Sequence, residues 1–521
     1  MDAKTPWLGA LALAAASFGA PAAAQGRPFE SGVAAEPAGR IDELVFGRLA
    51  ELGIEPARLS SDAVFLRRAY LDVLGTLPTP LEARAFLADG DPAKRDLLID
   101  RLLAREEYAD FWAMRWGDLL RVKAEFPINL WPNAAQAYHR WIRTSLAENV
   151  PYDRFARELL TASGSALRVP PVNFWRAVPE EEPAALASAV ALTFLGARAD
   201  AWPAERRAGL AAFFSGVRYK STAEWKEEIV YFDPAAGPPA GAVFPDGTPA
   251  AIPPGQDPRA AFADWLIAPE NPWFARAVVN RLWFWLLGRG IVHPPDDLRP
   301  DAPPANPALL AYLERELVAS GWDLKHVLRL ILGSRTYQLS AIPRSDHPQA
   351  AASFACYSLR RLEAEVLIDA LCQVTGTTEE YSSAVPEPFT YLPADQRAIA
   401  IPDASITSPF LELFARSPRD TGLAAERSGQ VTPAQALHLL NSSHVQRKIE
   451  DSPRLRGILR SAREPRQVVN RIYLLVLSRY PTPSELAAVQ AYFASGEVEA
   501  RAAAVDLLWA LVNTAEFLYR H

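Results

Sequence analysis

From Ser60 to Gly75 the chain reads "SSDAVFLRRAYLDVLG", in which apolar residues recur at helical spacing behind Ser60, Ser61 and Asp62, any of which can accept from the first free amides of a helix. Gly75 stands where a left-handed residue closes such a helix. The next segment, "TPLE", predicts a capping box: Thr79 accepts from the Glu82 amide, Glu82 reaches back to the Thr79 amide, and Pro80 takes the first helical position. The whole phrase then recurs. "LRRAYLDVLGTLPTPLE" (Leu66–Glu82) and "VNRIYLLVLSRYPTPSE" (Val469–Glu485) share nine positions at one constant offset of 403, including a second box at Thr482 and Glu485.

Each copy leads into a pattern that predicts one amphipathic helix closing on Glu and an aromatic residue: "LLIDRLLAREEYADF" (Leu97–Phe111) and "DLLWALVNTAEFLYR" (Asp506–Arg520). "HVLRLILGSRTYQLS" (His326–Ser340) is a weaker third copy. The repeat therefore reads as a structural unit, a capped helical elbow built near both ends, with the two copies packing together. Thr79, Glu82, Thr482 and Glu485 are assigned cap work of about 1 kcal/mol each rather than chemistry.

The same period runs through residues 41–216, an N-terminal helical domain, and through 259–521, a C-terminal one. Between them, 217–258 breaks the pattern with "EEIVYFDPAAGPPAGAVFPDGTPAAIPPGQDP", whose Pro and Gly exclude long helices and whose Val, Phe and Tyr suit a small strand pair. A long loop is expected over Glu379–Asp403. The fold class is mainly α, two helical domains with a small irregular or β insertion.

Composition adds compartment and partners. Lys4 precedes the apolar run "WLGALALAAASFGA", and "PAAAQG" offers small-residue cleavage after Ala24, so residues 1–24 read as a signal peptide and the protein as periplasmic or secreted. No later run is long enough to span a bilayer, so the mature chain is not expected to be an integral membrane protein. Net charge is −7, with arginines scattered among carboxylates, which gives no footprint for nucleic acid. Only Cys356 and Cys372 occur, and on one continuous helix they would lie about 24 Å apart, too far to bridge, so two buried free thiols are expected.

Two long segments resemble a known pair of families. "RAYLDVLGTLPTPLEARAFLAD" with "KRDLLIDRLLAREEYADFWAMRWGDLLR" resembles the planctomycete-type domain of unknown function numbered fifteen forty-nine. "DPRAAFADWLIAPENPWFARAVVNRLWFWLLGRGIVHPPDDLR", "DLKHVLRLILGSRTYQLS", "SLRRLEAEVLIDAL" and "VTPAQALHLLNSS" resemble its usual partner, numbered fifteen fifty-three. The resemblance implies an exported protein without a settled activity, from a family often fused to cytochrome c or lectin-like modules. Many members carry a Cys-x-x-Cys-His-like element between an "LG" and an "AAFF" segment. Here that interval, Leu195–Phe214, holds neither Cys nor His, so no haem and no other cofactor is expected.

The polar cluster with most chemical content is "GRGIVHPPDDLRP", where His293, Asp296, Asp297 and Arg299 follow an aromatic helix bearing Asn280 and Arg281. A His and two carboxylates can bind a divalent cation or share a proton. Pro294 and Pro295 ahead of two Asp residues are equally an ordinary turn or helix start, with Arg299 as a pairing partner. Arg361 and Glu365 read as a surface i,i+4 ion pair. "NRLWFWLLGRG" reads as core rather than a ligand-stacking shelf, although Trp283 and Trp285 cannot both face inward on one helix. His438 and His444 sit six residues apart, off the register of paired metal ligands on one helix. No nucleophile elbow, P-loop, HExxH or dinucleotide fingerprint occurs. The function expected is binding or assembly at the cell envelope, with a partner protein or a carbohydrate, and the rival is a hydrolase or metal-dependent enzyme using the His293, Asp296 and Asp297 loop.

Overall fold

Both predicted boxes are formed in the computed structural model, which describes residues 28–237, 239–299, 301–495 and 498–521. Residues 1–24, read as a signal peptide, lie outside the described residues. Ser61 caps the Asp62–Val73 helix by accepting from the Val64 amide. At the elbow that follows, the Thr79 amide donates to Glu82 Oε2 at 2.7 Å and the Glu82 amide to Thr79 Oγ1 at 3.3 Å. At the second elbow the corresponding distances are 2.7 and 3.2 Å, between Thr482 and Glu485. Gly75 adopts φ 61°, and a Cβ there would stand 2.4 Å from Phe111, so glycine is required. Its counterpart Ser478 holds the same left-handed conformation, φ 59°, without that crowding.

The closing segments are not single helices. The first divides into Lys94–Leu103 and Glu106–Leu119, the second into Ala500–Val512 and Ala515–Leu518. In both, the break falls just ahead of the Glu and aromatic pair, Glu107–Tyr108 and Glu516–Phe517. It lets the aromatic ring turn inward: Tyr108 is 2% exposed and Phe517 fully buried. The two copies pack together through buried Arg67, which donates to the Val476 carbonyl at 2.8 Å and the Phe517 carbonyl at 3.0 Å.

The structure is mainly helical, with two small antiparallel sheets. Val217–Ser221 and Glu228–Phe232 form the expected strand pair, and Gly164–Ser165 adds a third, short strand beside Glu228–Phe232. The second sheet joins Arg360–Arg361 to the C-terminal Tyr519–Arg520, so the chain's last residues are held against its middle. One apolar core takes in residues from Ile41 to Phe517, and Ala57, Leu59 and Leu339 form a small separate cluster.

Three local readings are corrected. Trp283 and Trp285 are both buried, because the Phe274–Leu287 helix is enclosed on nearly every side rather than one. Cys356 lies outside the Ala364–Thr375 helix that carries Cys372, and the two free thiols are partly exposed rather than buried. Arg361 is in a strand and Glu365 in a helix, and both are buried with other partners. Among the described residues no helix is long and apolar enough to cross a membrane.

Candidate functional site

A cavity of about 310 Å³ opens where three distant parts of the chain meet. One wall is the end of the Glu106–Leu119 helix, which brings Arg115 and Asp118. A second is the end of the Phe274–Leu287 helix, with Arg281, Phe284 and Trp285. The third is Arg360–Glu363 with the 414–429 loop, which supplies Arg427, and Tyr519 completes the lining. Gly288 closes the second helix at φ 80°, and a Cβ there would stand 2.4 Å from Arg360 Cδ. That close approach lets Arg360 donate to the Trp285 and Leu286 carbonyls at 2.8 and 2.5 Å, satisfying the helix C-terminus.

Five arginines and two carboxylates line the cavity, so its wall carries a formal +3. The residues immediately behind, Arg416, Arg419 and Arg520 against Asp72, Asp296 and Glu365, cancel and leave that excess in place. Arg427 binds Glu365 through two bonds of 2.8 Å and also pairs with Asp118. Glu363 is shared by Arg115 and Arg520. Burial alone would raise the Glu363 carboxyl, but Arg115, Arg520 and Arg427 hold it far below the ordinary range. Burial likewise opposes ionisation of Glu365, and Arg427 with Arg416 brings it down to about 2. These carboxylates stay ionised at any working pH, which unsuits them as general acids.

Arg361 differs from the other four. It has no carboxylate in ion-pair range among the described residues; its guanidinium donates to Gln435 Oε1, to the Phe414 carbonyl at 3.0 Å and to the Ser428 carbonyl at 3.2 Å. Its Nε is buried without a partner, and the residue is only 9% exposed. Glu365, expected beside it on a surface, instead neutralises Arg427 and Arg416.

The residues singled out around His293 are dispersed. Asn280 is fully buried and exchanges two 2.9 Å bonds with the Val292 backbone, pinning the loop to the helix. Asp296 turns inward, taking Arg281 at 2.7 Å on one oxygen and the Ala424 amide at 2.6 Å on the other. Asp297 turns outward and pairs with Arg299 at 3.1 Å. His293 is exposed, near the Phe284 ring, and no hydrogen bond or ion pair among the described residues joins it to either carboxylate. Of this group only Arg281 lines the cavity, with Asp296 fixing both it and the 414–429 loop.

Arg115, Arg360 and Arg427 were not singled out by sequence, and Arg361 was read only as half of a surface ion pair. The available signal was an arginine set among large apolar residues, as in "WAMRWGD" around Arg115, since a charge on a buried face requires a buried partner.

Residues 40–206 match the family described as PSCyt2, protein of unknown function (DUF1549), and residues 258–493 the family described as PSD1, protein of unknown function (DUF1553). No curated protein and no solved structure matches the chain. The cavity lies between the two matched stretches: the first supplies Arg115 and Asp118, the second the other four arginines and Glu363, while Tyr519 belongs to neither.

Proposed function

We propose that the protein is a binding component whose central cavity holds the oxyanion group of a ligand, a carboxylate, sulfate or phosphate on a larger apolar or ring-bearing body. The observation that carries this reading is Arg361, a buried guanidinium bonded among the described residues only to neutral acceptors, in a wall of net positive charge. A guanidinium without a counter-ion is costly in a low-dielectric site, and an incoming oxyanion relieves that cost with charge-assisted bonds. Phe284, Trp285 and Tyr519 in the same lining suit the body of the ligand. The rival hydrolytic or metal-dependent reading at the His293 loop draws less support, since Asp296 commits both oxygens to Arg281 and Ala424.

Titration calorimetry against acidic oligosaccharides, acidic peptides and their neutral counterparts tests the proposal and separates carbohydrate from protein partners. Binding is expected only for the acidic members, weakened at least tenfold in Arg361→Gln, about 1.4 kcal/mol. Equal binding of neutral counterparts would exclude it.

We further propose that this happens at the cell envelope after export, a reading supported by the Lys4, "WLGALALAAASFGA", "PAAAQG" sequence. Envelope-associated protein from the host is expected to begin near Gln25, and an intact Met1 would rule out cleavage.

A further inference from the structure

His438 and His444 belong to two helices. Pro433–Asn441 ends at Ser442, whose hydroxyl then accepts from the Val445 amide at 3.3 Å and starts Ser443–Glu450. On one straight helix residues six apart lie about 9 Å along the axis and on divergent faces. The bend at Ser442 removes that separation and brings His438 Nε2 to 3.4 Å from His444 Nδ1.

The other nitrogen of His444 is already committed. Its Nε2 lies 2.8 Å from Glu379 Oε2, an oxygen that also takes Lys448 Nζ at 2.9 Å. An oxygen placed to accept from the Lys448 ammonium also accepts from His444, so the His444 proton sits on Nε2 and Nδ1 presents a lone pair toward His438. Phe410 packs against both imidazoles, with centroids 5.7 and 5.8 Å away, and fixes their planes.

This is the arrangement in which a carboxylate orients a histidine toward a metal. A tetrahedral zinc ion with Zn–N bonds of about 2.0–2.1 Å holds two nitrogens about 3.3–3.4 Å apart, which is the separation found here. We infer that His438 Nε2 and His444 Nδ1 form a two-nitrogen site for a borderline-soft transition-metal dication such as Zn²⁺ or Cu²⁺, with Glu379 as the outer carboxylate. On binding, neutral His438 moves its ring proton to Nδ1 and gives the Nε2 lone pair to the metal. Among the described residues no group of three His, Cys, Asp or Glu converges, so the remaining positions go to water or an external donor.

The test uses tag-free full-length protein stripped with a chelator. Calorimetry with Zn²⁺ is expected to show saturable one-to-one binding, lost in His438→Ala and in His444→Ala. Glu379→Gln should weaken it about 10–100-fold while both imidazoles remain. Electron paramagnetic resonance of the Cu²⁺ form of the unaltered protein should show coupling to two imidazole nitrogens, a readout that does not depend on any variant folding. Absence of saturable binding, binding that survives both histidine substitutions, or a Cu²⁺ spectrum without nitrogen coupling would overturn the assignment.

Discussion

Asp72→Ala is expected to lower stability by about 3–5 kcal/mol, the range for removing one member of a buried charge network. Asp72 is the last acidic residue of the first elbow's helix, and its side chain is 1% exposed. One oxygen accepts from the hydroxyls of Tyr337 and Tyr357 at 2.8 and 2.9 Å. The other lies 2.9 Å from Arg520 Nε and 3.4 Å from Arg360. A single carboxylate thus joins the N-terminal repeat, the third closing segment, the cavity wall and the C-terminal strand. Without it, fully buried Arg520 keeps only Glu363 and the Leu71 carbonyl among the described residues, and two phenols lose their acceptor. Asp72→Asn retains the shape and one acceptor, and should fall between alanine and the unaltered protein. Denaturant midpoints for the three proteins decide it. A loss below about 1 kcal/mol in Asp72→Ala would mean that water or a nearby carboxylate replaces the hub.

The elbows were legible because every group that builds them lies within a few residues: a Thr, a Pro and a Glu three positions on define the box wherever the chain places it. What each elbow touches was not. Arg68 and Arg471 are the same residue at matched positions, yet Arg68 is buried, 3.7 Å from the Tyr357 ring, while Arg471 bonds Ser461 at the surface. Asp72 and its counterpart Leu475 are both buried for opposite reasons. The cavity was hidden for the same reason, since Arg115 finds Glu363, and Arg427 finds Asp118, hundreds of residues away. Arg281 and Asp296, fifteen residues apart, are close enough in the chain to be suspected together. His438 and His444 failed differently. Their spacing puts them on divergent faces of one straight helix, and the bend at Ser442 belongs to a capping serine that the local pattern "LLNSSHV" contains.

Arg479→Ala is expected to cost about 3 kcal/mol, against about 1 kcal/mol or less for Arg105→Ala. Both arginines bridge the box glutamate to the glutamate of the closing segment. Arg479 makes paired bonds of 2.8 Å to Glu485 and of 2.7 Å to Glu516. Arg105 joins Glu82 at 2.8 Å and Glu107. Each also lies over the matched tyrosine, Arg479 5.5 Å from Tyr473 and Arg105 5.7 Å from Tyr70. The arginines do not come from matched positions. Arg479 occupies the place of Thr76, and Arg105 the place of Thr514, so the two elbows exchange Arg and Thr while keeping the bridge. The difference in cost follows from burial: the Arg479 side chain is 6% exposed and that of Arg105 34%. Burial tends to raise the Glu485 carboxyl, but Arg479 and the Thr482 amide keep it lowered. Its stabilisation is therefore present above the unfolded value of about 4.3, and the gap between Arg479→Ala and the unaltered protein should shrink as pH falls from there through the lowered folded value. Moving the arginine gives the sharper result. Arg479→Thr combined with Thr514→Arg rebuilds the first elbow's layout in the second. It should recover more than half of the loss seen in Arg479→Thr alone, the rest reflecting the Thr514 cap on Phe517. A double variant no more stable than the single would mean that the matched glutamates and tyrosines do not define one interchangeable site.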